Sequence, residues 1–326
     1  MSQPVSIGVT GANGFLGRQL ISALVDRGFR TTALARRPSD FPTGARWTRS
    51  PSLDAEADWS CAVEGLDVIV HCAARAHIIK DTVLDPETAF CSVNLDGTVR
   101  LARQAAARKI RRFVFVSSIK VNGESTGPGL PFAADDQPAP QDAYGASKLG
   151  AERALLAIGA ETGMEIVIIR PPLIYGPGVK ANFRSLMRII ARGIPLPLGS
   201  VRNQRSLLFV GNLVDLILHV LDHPAAAGQV FLVRDGQDLS TSELVERLAE
   251  ALEQNIRLLR VPIPLLWASA RLLGKGALAQ RLLGSLVVDD AATRSRLGWT
   301  PPYSVADGLS ITARAFQAEQ VQAQSR

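Results

Sequence analysis

Val5-Ser6-Ile7-Gly8-Val9-Thr10-Gly11-Ala12-Asn13-Gly14-Phe15-Leu16-Gly17 decides the fold. The first six residues are a short apolar run of strand type. Three glycines follow at three-residue spacing. Arg18-Gln19-Leu20-Ile21-Ser22-Ala23-Leu24-Val25 then sets apolar side chains at helical intervals. A strand, a glycine-rich turn and a helix in that order open a βαβ unit that binds a nucleotide. Gly11 permits the tight turn, Gly14 lets backbone N–H groups approach a pyrophosphate, and Gly17 lets the helix lie close on the strand. The phosphates rest at the helix N-terminus, where unpaired N–H groups and the helix dipole favour negative charge. The spacing is G-x-x-G-x-x-G, not the commoner G-x-G-x-x-G.

Arg30 to Ala35 reads as the second strand and runs into Arg36-Arg37-Pro38. An NAD-selective site holds the ribose 2′-hydroxyl with an Asp or Glu at this strand end. Arg36 and Arg37 stand there instead, and guanidinium forks suit a 2′-phosphate. The sequence favours NADP(H), with NAD(H) as the alternative. Trp47 to Asp58 reads as polar and irregular. Asp67 to Ala74 is a strand whose small end residues Cys72, Ala73 and Ala74 leave room for a cofactor across its carboxyl edge. Pro86 to Arg108 has the spacing of one long helix. Arg112 to Ser118 is a further buried strand, with Ser117 and Ser118 at the end where α/β sheets place ligands.

Tyr144-Gly145-Ala146-Ser147-Lys148 begins a helix that continues to about Thr162. Tyr144 and Lys148 are four apart and share a helix face. A phenol with a pKa of about 10 trades protons poorly at neutral pH. An ammonium one turn away favours the phenolate and lowers that value. Ser118 can hold a carbonyl oxygen beside the phenol. The trio therefore points to hydride transfer at a carbonyl carbon, with Tyr144 supplying the proton. Ile166 to Arg170 is a strand stopped by Pro171-Pro172. The alternation to this point predicts an α/β fold with a doubly wound parallel sheet.

Beyond Pro172 the pattern loosens into a smaller C-terminal lobe over the sheet's carboxyl edge. The expected division is 1–172 with about 206–227 for the dinucleotide-binding domain, and 173–205 with 228–326 for the substrate lobe. Tyr175 could line a substrate pocket or pack in the core. His219 and His223 are four apart, but no Cys or carboxylate pattern completes a metal site. Leu265 to Leu283 is apolar with interspersed Arg and Lys, which suits lobe core, an oligomer contact or an amphipathic membrane-surface segment.

Composition narrows the class. Of 326 residues, 47% are hydrophobic and 20% charged, the balance of an ordinary globular protein. No signal-peptide pattern and no run of about 18 uncharged apolar residues occurs, so no integral membrane segment is expected. Cys61, Cys72 and Cys91 make no paired spacing and fit a reducing, cytoplasmic location. The net charge of +6 is spread along the chain. Its densest cluster, Arg108-Lys109-Ile110-Arg111-Arg112, reads as a solvated helix end, so an anionic small substrate explains the charge better than nucleic acid.

Thr10 to Gly17, His71 to Ala74, Phe115 to Ser118, Tyr144 to Lys148, and Arg170-Pro171-Pro172 with Tyr175-Gly176-Pro177-Gly178 together resemble the extended short-chain dehydrogenase/reductase family. Within it the chain looks like the nucleotide-sugar branch of UDP-hexose 4-epimerases, dTDP-sugar dehydratases and 4-keto-sugar reductases. The resemblance implies a Rossmann-type sheet, NAD(P), a UDP- or dTDP-sugar, and a homodimer built on the helices of Asn94-Leu95 and Tyr144-Lys148. It implies catalysis by Ser118, Tyr144 and Lys148. Cofactor contacts would come from Gly11, Asn13, Gly14, Phe15, Leu16, Gly17, Arg36, Arg37, Ser52, Leu53, Cys72, Ala73, Ala74, Ser117, Tyr144, Lys148 and Pro171. Ser52 replaces the family's usual Asp in the adenine-side loop.

Departures select within the branch. Dehydratases carry Asp-Glu after the catalytic hydroxyl residue, whereas Ser118 is followed by Ile119-Lys120. Epimerases usually have an acidic residue after strand two and an Asn beyond the strand ending at Arg170, where this chain has Pro171-Pro172-Leu173. The stretches from Pro171 to Phe183 and from Leu196 to Leu207 look most like bacterial surface-polysaccharide enzymes that reduce UDP-4-keto-6-deoxy-N-acetylglucosamine at C4. By that likeness the substrate would meet Ser118, Lys120 and Tyr144, with Asn182, Arg205 and Arg281 at its diphosphate. The expected activity is an NAD(P)H-dependent C4 ketoreductase, with a UDP-glucose or UDP-GlcNAc 4-epimerase as the alternative.

Overall fold

Hydrophobic alternation is the force that builds the centre of the molecule. In Arg112–Val116, Phe113 and Phe115 face one way while Val114 and Val116 face the other, and all five residues are buried. A strand that is apolar on both faces belongs inside a parallel sheet covered by helices on both sides. The computed structural model, which describes residues 5–76 and 85–324, shows that sheet.

In chain order the elements of the first half are β1 (Ser6–Thr10), α1 (Phe15–Asp26), β2 (Arg30–Ala35), β3 (Ala45–Arg49), β4 (Val68–His71), α2 (Pro86–Cys91), α3 (Gly97–Ala107), β5 (Arg112–Val116), α4 (Ala143–Thr162) and β6 (Glu165–Arg170). Next come β7 (Leu173–Tyr175), α5 (Ala181–Ala191), β8 (Leu207–Phe209), α6 (Val210–Val220), β9 (Gln229–Leu232) and α7 (Thr241–Ala251). Four helices close the chain: α8 (Ile263–Leu272), α9 (Gly276–Leu283), α10 (Ala291–Leu297) and α11 (Val305–Gln324).

Seven strands pair in the order β3-β2-β1-β4-β5-β6-β9, all parallel. The order reverses beside β1, so the carboxyl ends of β1 and β4 flank the crevice where such sheets bind ligands. One face carries α1 and α6 over Ile7, Val9, Val167 and Ile169; the other carries α3 and α4 over Ile69, Phe113, Ile166 and Ile168. Burying each such Ile, Val or Phe contributes about 1.5–3 kcal/mol. α7 opens on a capping box in which Ser240 and Glu243 satisfy each other's backbone N–H groups.

Several expectations change. β9 was expected in the substrate lobe, but it extends the main sheet through pairs such as Ile169 with Phe231. Its four residues are too short to show a parallel strand's apolar run. β3 runs into the stretch read as irregular from Trp47, because an exposed edge strand with Arg46 and Arg49 carries no buried face to mark it. The helix from Pro86 is interrupted by a π-helical turn at Ser92–Asp96. Arg112 is no solvated helix end: it is buried, with Nε donating to Glu165 at 2.7 Å and Nη1 donating to the Val220 carbonyl. Beyond the sheet, β7 and β8 form a separate two-stranded parallel pair.

Candidate active site

The glycine turn is shaped by close approach. Gly11 has a φ of +66°, and a Cβ there would lie 2.8 Å from the Ala73 nitrogen. A Cβ on Gly17 would lie 2.3 Å from the Gly11 carbonyl oxygen. The turn closes with the Gly14 N–H donating to that oxygen at 2.8 Å. Gly14 is the N-cap of α1 and supplies no side-chain cap, so the first-turn N–H groups of Phe15, Leu16 and Gly17 face the crevice without one. Cys72 and Ala73 at the end of β4 abut Gly11, and the Ala73 N–H donates to the Thr10 hydroxyl at 3.3 Å. Ala74 is exposed just beyond. This cradle, which side chains would fill, fits a dinucleotide pyrophosphate.

The adenosine end is basic. Arg36 and Arg37 are exposed at the end of β2. Asn13 Nδ2 donates to the Arg37 carbonyl at 3.0 Å, which ties this loop to the glycine turn. Arg18 Nη2 donates to Ser39 Oγ at 2.7 Å and adds a third guanidinium to the same corner. Ser52 is exposed, while Leu53 is held against Gly97 of α3.

At the centre, Ser118 follows β5 and accepts the Lys120 N–H at 3.3 Å. Tyr144 stands in the first turn of α4, capped by Asp142, whose Oδ1 accepts the Gly145 N–H at 2.7 Å. Its hydroxyl lies beside the Ser118 side chain, and its ring meets Phe90 edge-on at 6.0 Å. Lys148 is buried, with Nζ donating to the Val116 carbonyl at 2.8 Å and lying 4.2 Å from the Phe115 ring centre. Pro171 is buried at the end of β6, where its carbonyl accepts the Ile119 N–H at 3.0 Å.

The charges differ from the expected pattern. Burial draws the Lys148 ammonium down to about 8, and Glu152 opposes that shift. Tyr144 is pushed up to about 12, by burial first and then by the Asp142 carboxylate, with the Ser118 hydroxyl opposing. Acidification by Lys148 is therefore not seen among the protein's own groups: the ammonium is engaged by the Val116 carbonyl, and Asp142 at the helix cap is the charge that acts on the phenol.

Other residues are also reassigned. Ser117 donates its hydroxyl to Glu152 and so turns into the protein rather than toward a cofactor. Lys120, expected at the substrate, is ion-paired with Glu124 at 2.7 Å and with Asp142, so it organises the start of α4. Tyr175 is core: fully buried, stacked on Phe183, its hydroxyl donating to Asp235 at 2.8 Å.

In the lobe, Asn182 is exposed at the start of α5. Arg205 Nη1 donates to the Gly284 carbonyl at 3.0 Å, and burial together with the Arg281 charge holds its pKa down. Arg205 and Arg281 form no ion pair among the described residues and are close enough for each charge to act on the other.

Glu152 escaped the sequence reading, and Asn94 entered it only as part of an expected dimer helix. Glu152 sits one turn beyond Lys148 and takes Arg170 at 2.6 Å, with both side chains buried. The i, i+4 step from Lys148 was the available signal. Asn94, buried in the π-helical turn, accepts the Arg75 N–H at 2.8 Å and donates to Ser147 Oγ at 3.1 Å, which ties that turn to α4.

Residues 7–233 match the model of the NAD dependent epimerase/dehydratase family. The chain belongs to that family. It is 46% identical over 314 residues to the UDP-glucose 4-epimerase of Vibrio cholerae, covering 96% of each chain. It is 28% identical to the N-acetyl-alpha-D-glucosaminyl-diphospho-ditrans,octacis-undecaprenol 4-epimerase of Escherichia coli O157:H7, over 93% of this chain and 92% of the relative. Among solved structures, MoeE5 in complex with UDP-glucose and NAD aligns with a TM-score of 0.76 and 25% identity, covering 97% of this chain and 99% of that one. Family membership makes this a nicotinamide-dinucleotide enzyme of the epimerase, dehydratase and reductase group, and the glycine cradle fits that cofactor.

Proposed function

We propose that the chain is a sugar-nucleotide 4-epimerase acting on a UDP-hexose or UDP-N-acetylhexosamine. The observation that carries this is the Ser118–Tyr144–Lys148 cluster at the strand ends, in a chain 46% identical to an epimerase along nearly its whole length. A bound nicotinamide dinucleotide would accept hydride from the sugar C4 and return it to the resulting C4 ketone. Gly11, Gly14, Gly17 and the α1 N-terminus hold its pyrophosphate, and Cys72 and Ala73 border it.

Tyr144 handles the proton at the O4 of the sugar. Its pKa of about 12 keeps the hydroxyl protonated at neutral pH, which suits the return of a proton to the C4 ketone, while acceptance of the O4 proton in the opening oxidation requires the phenolate. Ser118, beside the phenol, offers a second hydroxyl to the same sugar oxygen. Lys148, cationic below about 8 and anchored on the Val116 carbonyl, places a positive charge in the crevice floor one helical turn from Tyr144. Arg205 and Arg281 receive the diphosphate, and Asn182 borders it. A 4-epimerase must present both faces of a C4 ketone to the same cofactor, which requires the diphosphate to be anchored while the sugar turns.

A second reading is supported by Arg18, Arg36 and Arg37 at the adenosine end. Three guanidiniums suit NADP(H), which an enzyme of net reduction draws from solution, and the 4-ketoreductase remains its expression. Incubation with UDP-glucose and UDP-GlcNAc without added cofactor tests the proposal by NMR: C4 epimers should form. NADPH consumption with UDP-4-keto-6-deoxy-GlcNAc and no epimer formation would replace it with the second. Tyr144→Phe should lower turnover at least about 100-fold while dinucleotide binding persists.

A further inference from the structure

From Gln254 to Val288 the chain carries Arg257, Arg260, Arg271, Lys275 and Arg281 but no Asp or Glu, although 30 of its 326 residues are acidic. All five cations are exposed, and none is ion-paired among the described residues. The same stretch forms the α8–α9 hairpin, whose two helices pack on each other through the turn at Leu273-Gly274-Lys275. α8 reads Ile-Pro-Leu-Leu-Trp-Ala-Ser-Ala-Arg-Leu, yet none of its residues is buried. Ile263 and Leu266 rest on the core, while Leu265, Ala268 and Leu272 are exposed. Spacings of three and four put those three on one outward stripe. Leu272 is 87% exposed and Leu273 is 69% exposed.

We propose that the α8–α9 hairpin is a peripheral docking surface for an anionic phospholipid bilayer. Two features must be matched together: four unopposed positive charges besides Arg281 of the crevice, and a row of leucines on the same hairpin. An anionic membrane surface offers negative headgroups over an apolar layer. A second copy of this chain packed face to face would set these four cations against four more. Nucleic acid would match the charge and leave the leucines in water. Ten residues of α8 extend only about 15 Å, so the helix lies in the interface and does not span it.

In the docked state Leu265, Leu272 and Leu273 enter the acyl boundary, and Arg260, Arg271 and Lys275 meet headgroups. Trp267, half-buried on α8, is of the residue type that favours this depth. The surface adjoins the site: α9 carries Arg281, and Asn203 Nδ2 donates to the Leu282 and Gly284 carbonyls at 3.2 and 2.7 Å. Docking would thus set the diphosphate end of the crevice at the membrane surface. The proposal does not depend on which sugar reaction the crevice performs.

Co-sedimentation with phosphatidylcholine vesicles, with and without phosphatidylglycerol, tests it on the full chain. Wild type should bind the anionic vesicles at least about tenfold better, since each cation near an anionic leaflet contributes about fivefold. Leu272→Asp/Leu273→Asp should weaken that binding at least about tenfold without changing turnover of a soluble UDP-sugar or the melting temperature. Equal binding to both vesicle types, no binding, or wild-type binding by the leucine variant would each overturn the proposal. So would a wild-type dimer that this variant converts to monomer without any vesicle binding, which would assign the face to a second copy.

Discussion

Glu152→Gln tests how Lys148 is held. Glu152 accepts Arg170 Nε at 3.0 and 3.2 Å on its two oxygens and Arg170 Nη2 at 2.6 Å, and it also accepts the Ser117 hydroxyl. The Arg170 and Glu152 side chains are 5% and 3% exposed. Removing the negative charge leaves the Arg170 guanidinium buried with Asn122 Oδ1, at 2.9 Å, as its remaining side-chain partner besides residue 152. Breaking one side of a buried pair costs about 3–5 kcal/mol, against 0–1 kcal/mol for a pair at the surface. Urea unfolding followed by circular dichroism and tryptophan fluorescence would measure the loss. A second effect reaches Lys148. Glu152 is the leading opponent of the burial that brings Lys148 down to about 8, so its loss moves the lysine further down. The alkaline fall in turnover, set by deprotonation of Lys148, should then begin at lower pH than in wild type. A stability loss below about 1 kcal/mol would refute the buried-pair argument. An unmoved alkaline limb would refute the link to Lys148 even if stability fell.

Gly17→Ala puts a methyl 2.3 Å from the Gly11 carbonyl oxygen, a backbone atom that cannot swing away; it should cost about 1–3 kcal/mol and abolish tight NADH binding, read by melting temperature and fluorescence titration. Arg36→Ala/Arg37→Ala should weaken NADPH binding by about tenfold or more while changing NADH binding little, and equal losses for both would remove the 2′-phosphate assignment. His71 is buried between the Thr10 and Thr98 hydroxyls, and burial, then Lys148, lowers its pKa from 6.5 to about 3. Its folded form stays neutral where the unfolded form protonates, so stability present above 6.5 is lost as pH falls toward 3. The loss should reach about 2 kcal/mol by about pH 5, and His71→Asn should flatten that acid slope.

The parts of this enzyme that were legible in sequence are those whose chemistry is local. The glycine turn needs three small residues within one turn and the next, and Tyr144 and Lys148 need one helix face, so spacing alone displays both. The features that escaped depend on contacts between distant segments. Ser117 looked like a crevice hydroxyl because it follows a strand, yet a carboxylate 35 residues later draws it inward. Lys120 looked free because its partner Asp142 lies across a loop. The phenol's pKa shows the point most sharply. A lysine four residues away predicts a lowered value, but the ammonium's hydrogen bond runs to Val116 on β5, while Asp142, two residues before the tyrosine, stands at the helix cap. Helix geometry makes Lys148 and Tyr144 neighbours; the sheet decides where the lysine's charge is directed. The protein groups by themselves therefore prepare a proton donor, and the base form of Tyr144 must be drawn out by charge that arrives with the bound cofactor and sugar.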